Sequence, residues 1–346
     1  MQENIAVISL KNIVHNFSVF RRLAGGAKVC AVVKADAYGH GAERVAESLE
    51  GYADGFAVTS VKEGIALRIA GIRKPILVLT PPLAEDDVFL ALAHGLTLTV
   101  CSFSSLRVLA DGAEKCGQIA PVHVKINTGM NRLGLSGAPL ARLFAAIARR
   151  QSVRVQGVYS HLYAPADAAA AEGQRARFEA AAALAQDRFG PVVRHLSATG
   201  GILRGEAYRF DGVRPGIGIY GYLPGGFGAP RSLGLRPAMR LYTHVLQSRR
   251  FAGGGVGYER AAREYGDLTA CRLGYADGFL RAGGGGRLKA VGKLCMDGCI
   301  REGRAKFAAR RTVFLSAEEV AKEAGTISYE VLCAAAKRAV RVYVES

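Results

Sequence analysis

The stretch Val29-Cys30-Ala31-Val32-Val33-Lys34-Ala35-Asp36-Ala37-Tyr38-Gly39-His40-Gly41 sets one lysine directly after five consecutive apolar residues. Such a run, with no polar alternation, predicts a strand buried on both faces, the pattern of a parallel sheet. Parallel α/β folds build their sites at the carboxyl ends of their strands, so Lys34 opens onto whatever site this sheet forms. Two readings of the lysine stand. A long charged side chain at a strand end can snorkel to solvent. Alternatively, a semi-apolar pocket lowers the proton affinity of the amine and frees it to form a Schiff base.

Outward from this stretch, strand-like and helix-like segments alternate at intervals of roughly 20 to 30 residues, the rhythm of βαβ units. Strands are predicted at Val29–Val33, Gly55–Val58, Ile76–Leu79, Thr97–Val100, Val122–Ile126, Val155–Ser160, Val193–Leu196 and Gly216–Tyr220. Helical periodicity falls between them, as in Val61–Ile69 and the alanine-rich run from Ala166 to Phe189. The fold class is therefore α/β, a (β/α)8 TIM-type barrel over residues 9–230. Beyond Pro224-Gly225-Gly226 the rhythm changes to short alternating strands (Arg240–Ser248, Thr269–Leu273, Lys289–Val291, Thr312–Leu315), predicting a smaller, mainly β domain over 231–346. Ala282-Gly283-Gly284-Gly285-Gly286 reads as a loop, and the basic segment Arg301–Arg311 has no clear period and is assigned no structure.

Composition narrows the function classes. Half of the 346 residues are hydrophobic, enough for a full-sized core. No segment approaches the ~20 uncharged residues of a membrane span, and Met1-Gln2-Glu3-Asn4 lacks the basic start of a signal peptide; no membrane association is expected. Seven cysteines without a C-x-x-C pair suggest neither a disulfide framework nor a zinc site, and fit a reducing cytoplasm. The net charge of +17 invites nucleic-acid binding. The arginines, however, are scattered in short pairs without aromatic interleaving, so no nucleic-acid partner is expected, and an anionic small ligand suits the balance better.

Four further segments carry chemistry. Val122-His123-Val124-Lys125-Ile126-Asn127-Thr128-Gly129-Met130-Asn131-Arg132 ends in a rigid guanidinium suited to a carboxylate. Val158-Tyr159-Ser160-His161 puts a histidine at a strand end. In Asp211-Gly212-Val213-Arg214-Pro215-Gly216-Ile217-Gly218, small residues let the backbone N–H groups of Gly216 and Ile217 approach phosphate oxygens. In the second domain, Val256-Gly257-Tyr258 and Leu273-Gly274-Tyr275-Ala276-Asp277 present tyrosines beside glycines. On residue type alone each has a plain alternative: a surface arginine, a structural histidine, a Pro-Gly turn, half-buried packing tyrosines.

Together these segments decide the matter. V-V-K-A-D-A-Y-G-H-G resembles the pyridoxal-phosphate (PLP) lysine motif of alanine racemases, and the resemblance runs through nearly the whole chain. It implies a fold-type III PLP enzyme with pyridoxal 5'-phosphate on Lys34, and cofactor contacts from Tyr38, Thr199, Arg214, Gly216, Ile217 and Tyr343. It implies that Arg132 meets the cofactor's phenolic oxygen and the substrate carboxylate, that Lys125 is carbamylated and orients Arg132, and that Arg214 faces the pyridine nitrogen. Lys34 and Tyr258 are the implied catalytic bases, with His161 supporting and Met296 and Tyr275 on the substrate side. Because the tyrosine base comes from the partner subunit in this family, a homodimer with shared sites is implied. The N-terminal strand 1–8 is implied to join the second domain. Three departures stand out: Asn127 where aspartate is expected, and Ala198 and Thr199 where asparagine and serine are usual. The expected activity is interconversion of L- and D-alanine, supplying D-alanine for peptidoglycan. The alternatives are a racemase for serine or a broader set of amino acids, a decarboxylase or aldolase on the same barrel, and a non-catalytic PLP carrier.

Overall fold

The computed structural model describes residues 3–279, 281 and 286–345. Strand β1 (Ile5–Ser9) runs straight into helix α1 (Leu10–Ala24), whose Asn12 N–H is capped by the Ser9 hydroxyl. The buried side chains of α1, among them Ile13, Phe17, Phe20 and Ala24, recur every three or four residues and face the barrel.

The barrel strands are β2 (Lys28–Val32), β3 (Gly55–Val58), β4 (Ile76–Val78), β5 (Leu98–Val100), β6 (Ala120–Lys125), β7 (Val153–Tyr159), β8 (Val193–His195) and β9 (Gly212–Val213). Sequence neighbours pair in parallel, with a Leu77–Thr97 bridge joining β4 to β5 and an Ala198–Arg214 bridge joining the segments after β8 and β9. Lys28–Gly212 and Val29–Val213 then pair β9 back onto β2, which closes the ring and leaves the barrel sheet no free edge.

Seven of these strands follow the sequence reading closely; the eighth does not. Gly216–Tyr220 is no strand: the chain pairs only at Gly212–Val213, and Ile217–Tyr220 is a turn of 3-10 helix. Its apolar residues were legible as buried, and Ile217, Ile219 and Tyr220 are buried. They pack beneath α1 instead of in the sheet, because the chain bends at Gly216 once Pro215 O has accepted from Val32 N–H.

The second domain is built on β10 (Met239–Arg250), the hairpin β11 (Gly255–Val256) and β12 (Glu259–Arg260), and β13 (Asp267–Cys271), β14 (Ala290–Val291), β15 (Cys299–Glu302), β16 (Arg310–Phe314) and β17 (Val340–Val344). The sheet order is β14-β15-β13-β10-β1-β17, with β16 also on β10. The N-terminal strand therefore lies inside the second domain's sheet, antiparallel to β10 and parallel to β17. β11, β12, β15 and β17 were not anticipated, and the unassigned Arg301–Arg311 supplies the end of β15 and the start of β16. Residues 282–285 of the glycine-rich loop lie outside the described residues.

Packing between α1 and the 3-10 turn gives a direct test. A Cβ at Gly218 would overlap the ring of Phe20, which is buried and has nowhere to go. Gly218→Ala should lower stability by about 1–3 kcal/mol in urea unfolding, whereas Gly225→Ala, where nothing lies near the added methyl, should change it little.

Candidate active site

Lys34 leaves β2 into a segment that L-residues rarely form. Ala35, Asp36, Ala37 and Tyr38 all have φ between 51° and 54°, a left-handed turn made without glycine. Each such residue costs ~1–2 kcal/mol, so the turn persists only where its surroundings over-determine it. They do so from several sides. Ala35 N–H donates to Glu63 Oε1 at 2.8 Å, Ala42 N–H donates to Asp36 Oδ1 at 2.8 Å, and Arg341 of β17 pairs with Asp36 while its Nε donates to Gly39 O at 2.9 Å. His40, fully enclosed, donates from Nδ1 to Ala37 O at 3.0 Å and stacks on Tyr220. The turn carries Tyr38 back over the barrel, its hydroxyl 2.6 Å from where a Cβ on Gly216 would stand. Any side chain at Gly216 would therefore fill the space in front of that hydroxyl.

At this mouth of the barrel is a cavity of about 690 Å³ whose walls include Lys34, Tyr38, Lys125, Arg132, His161, Thr199, Arg214, Gly216 and Ile217. The structure thus gathers nine sequence-predicted residues from the ends of β2, β6, β7, β8 and β9. Four of them, Lys34, Lys125, Arg132 and Arg214, are basic side chains. Burial, then Arg132, lower the proton affinity of the Lys34 amine, with Glu63 and Cys333 acting the other way. Lys125 is only 5% exposed and is pushed well below the usual lysine range by burial, then by Arg214 and Arg132. Its ammonium position lies 4.6 Å from the Tyr159 ring centroid.

Arg214 is buried and held by four acceptors: His195 Nδ1 at 2.7 Å, His195 O at 2.8 Å, Ser160 O at 2.6 Å and Leu196 O at 3.2 Å. Burial lowers its pKa to about 10, which leaves it charged at neutral pH. Because His195 Nδ1 accepts from the guanidinium, its proton sits on Nε2 and is donated to His123 Nδ1 at 2.6 Å. The histidines around it stay neutral. His123 and His161 are lowered to about 3, by burial first and then by Arg214.

Two of the three departures, Asn127 and Thr199, find physical accounts here. Asn127 Oδ1 accepts from Gly129 N–H and Asn131 N–H, and its amide donates to Asn131 Oδ1, so the side chain holds the turn before Arg132 without adding a charge beside it. Thr199 Oγ1 accepts from Gly216 N–H and Gly218 N–H at 3.2 Å each, which keeps a hydroxyl at the glycine-rich loop.

Four predicted residues are not on this cavity. Tyr343 lies behind the left-handed turn against Gly41, with Arg44 over its ring, and from the C-terminal segment it is Tyr329 that lines the wall. The helix Ser328–Ala335 carries it there, bringing Cys333 with it. Tyr258, Tyr275 and Met296 are 69%, 37% and 53% exposed. They share one outer edge of the second domain: Tyr275 and Ala276 N–H donate to Cys295 O and Met296 O, and Gly257 abuts Lys293. Glu63 was missed altogether, since its S-x-x-E pattern (Ser60 to Glu63) signals only a helix start.

The fold and the site together describe a barrel with a desolvated lysine amine and two guanidinium groups at its mouth, an arrangement suited to an anionic ligand. A sequence model of the alanine racemase N-terminal domain matches residues 8–224, and one of the C-terminal domain matches residues 238–343. The alanine racemase of Cutibacterium acnes is 36% identical, with 98% of this chain and 97% of that protein covered, and that of Clostridium novyi is 32% identical over 99% and 95%. Among solved structures, the alanine racemase from Streptomyces coelicolor A3(2) superposes with a TM-score of 0.91 at 31% identity, covering 100% of this chain and 99% of that one. The alanine racemase from Bartonella henselae, with covalently bound pyridoxal phosphate, has a TM-score of 0.86 at 27% identity, with 99% of each chain covered. The chain belongs to the alanine racemase family.

The buried histidines make stability sensitive to acid. His40 is lowered to about 4, and like His123 and His161 it binds its proton in the unfolded chain before it can in the folded one. Stability from these groups is complete above the unfolded histidine pKa of about 6.5 and is lost as pH falls, His40 alone costing roughly 2 kcal/mol at about pH 5. Urea midpoints should be level above about pH 7 and fall steadily toward about pH 5, above the range where most carboxylates titrate; a flat profile there would contradict the neutral assignments.

Proposed function

We propose that this protein interconverts L- and D-alanine with pyridoxal 5'-phosphate held on Lys34, in the cytoplasm, and supplies D-alanine for peptidoglycan. One observation carries the reading: a lysine of lowered proton affinity faces a cavity walled by Lys125, Arg132, Arg214 and a glycine-rich loop, while Tyr258 stands exposed outside that cavity. The residues fit the cofactor. A phosphate suits Tyr38, Thr199 and the Gly216–Ile217 backbone, with Tyr329 on the same wall, and the cationic walls suit both that phosphate and a substrate carboxylate. Bound PLP supplies an electron sink that acidifies the substrate Cα–H.

The rest is done by this chain's side chains. Arg214, pinned by its four acceptors and still charged, offers the ring nitrogen a donor that does not give up its proton. The sink is weakened accordingly, which favours return of a proton to Cα over transamination. Arg132 orients the substrate carboxylate. Lys34 takes or returns the α-proton on one face, and Tyr258 of a second copy serves the other, with Tyr275 and the Met296 backbone at the entry. Their shared exposed edge supports a homodimer in which each copy completes the other's site. His161, neutral throughout the working range, orients rather than transfers. Lys125, whose proton affinity is lowered by burial and by Arg214 and Arg132, is set to take up carbon dioxide through its free amine: a new N–C bond forms, one proton leaves, and a negative carbamate replaces a positive charge near the two arginines.

Assaying both enantiomers of alanine and of serine with the purified protein tests the activity and the substrate range, and a Lys34 peptide carrying the cofactor after borohydride reduction tests the attachment. Cofactor on Lys34 with no racemisation of either amino acid would leave only a PLP carrier. In Tyr258→Phe, racemisation should fall at least 10²-fold, while exchange of the Cα hydrogen with solvent survives for one enantiomer only. A slight and equal loss from both enantiomers would remove the two-base assignment. Lys125→Ala should lose several-fold in activity and lose the response to added bicarbonate that the parent enzyme shows after bicarbonate depletion.

A further inference from the structure

Glu63 has no part in the chemistry above, yet its carboxylate joins two barrel strands at the mouth of the site. Oε2 accepts from Thr59 N–H at 2.6 Å and Ser60 N–H at 3.2 Å, while Glu63 N–H donates to Ser60 Oγ at 3.2 Å. That much is a capping box for the helix Val61–Ile69, which needs only the bond back to the cap residue. Oε1 does something the helix does not require. It accepts from Ala35 N–H at 2.8 Å, a residue 28 positions earlier on the neighbouring strand end. Ala35 directly follows Lys34 and opens the left-handed turn.

The second observation is electrostatic. Lys34 looks onto Arg132 from the loop after β6, Lys125 and Tyr159 from β6 and β7, His161 and Arg214 beyond β7 and β9, Tyr38 from its own turn, and Tyr329 and Cys333 from the helix Ser328–Ala335. Of the groups that raise its proton affinity, Glu63 acts most strongly and is the only carboxylate. The same side chain therefore sets the direction in which Lys34 enters the cavity and opposes the cations that would strip its proton.

From these we infer that Glu63 is a positioning residue for Lys34: by bridging the ends of β2 and β3 it fixes the start of the left-handed turn and keeps the amine able to receive a proton. This rests on the proposed reaction for its kinetic consequence only. A carboxylate can satisfy Ala35, Thr59 and Ser60 together because it has four lone-pair sites; an amide turned toward either side must present its NH₂ to a donor on the other.

The test uses the full-length chain freed of cofactor. The rate at which pyridoxal, followed by borohydride, labels Lys34 is followed against pH by peptide mass spectrometry. Glu63→Gln should move the midpoint of that profile downward and, with cofactor restored, lower kcat about tenfold with KM for alanine little changed. Glu63→Asp keeps the charge but is too short to span both strands, so it should return the midpoint toward the parent value without restoring kcat. Ser60→Ala, which removes the helix cap hydroxyl and leaves the Ala35 bond, should lower Tm while leaving midpoint and kcat alone. If Glu63→Gln behaves as Ser60→Ala does, Glu63 is only a helix cap and the inference falls. Absence of racemisation in the parent enzyme would instead overturn the proposed function, and the labelling midpoint would still decide the role of Glu63.

Discussion

The left-handed turn from Ala35 to Tyr38 is the constraint on which the site depends. Four non-glycine residues in that conformation would unwind in isolation, at ~1–2 kcal/mol each. They are kept there by hydrogen bonds from three directions: Glu63 on the neighbouring barrel strand end, Asp36 folding back to Ala42, and Arg341 reaching over from the second domain. A right-handed turn would carry the chain away along the outside of the barrel. The left-handed one returns Tyr38 over Gly216, so one short segment places both Lys34 and the hydroxyl above the glycine-rich loop.

A second constraint is charge. Arg214 is buried against carbonyl oxygens and a histidine nitrogen with no carboxylate among its hydrogen-bond partners. Lone-pair acceptors stabilise a guanidinium without neutralising it, so the field of Arg214 acts on everything near it. After burial, it is the largest influence lowering the proton affinity of His123, His161, His195 and Lys125. An interior of this kind favours anions, which on the proposed function is a physical reason for the cavity to select a phosphate-bearing cofactor and a carboxylate-bearing substrate.

The fold was legible because the signal that decides it is strong: buried strands of three to seven residues with helical segments between them. The eighth strand misled because burial and strand are different properties; Ile217, Ile219 and Tyr220 are apolar for α1, not for a sheet partner. The residues around Lys34 were legible one by one, through glycines, an arginine and a histidine at strand ends. The turn itself was not, since Ala-Asp-Ala-Tyr contains nothing that favours positive φ and only distant partners impose it. Glu63 was hidden for the same reason: three of its hydrogen bonds are local, to Thr59 and Ser60, and the fourth, from Ala35, is visible only once two strand ends are side by side. Tyr343 and Tyr329 show the limit of a motif, for Tyr343 lies on a strand against Gly41 while the helix Ser328–Ala335 puts Tyr329 on the cavity.

The second domain faces two ways, and this bears on why the two domains stay together. Through β17 it buttresses its own barrel, with Arg341 on the turn after Lys34 and Tyr343 against Gly41, and through the helix Ser328–Ala335 it walls its own cavity with Tyr329 and Cys333. The opposite edge, with Tyr258, Tyr275 and Met296, has no role in its own barrel's cavity. β1 ties the arrangement together, since it is one strand of the second domain's sheet and leads without a loop into α1, the first helix of the barrel. A barrel alone would hold Lys34 on a turn stripped of Arg341, and the β domain alone would carry a tyrosine with nothing to act on. On the proposed mechanism, each copy of the second domain stiffens one lysine and supplies the opposing base to another, so the two proton positions of any one site are set by the second domains of two copies.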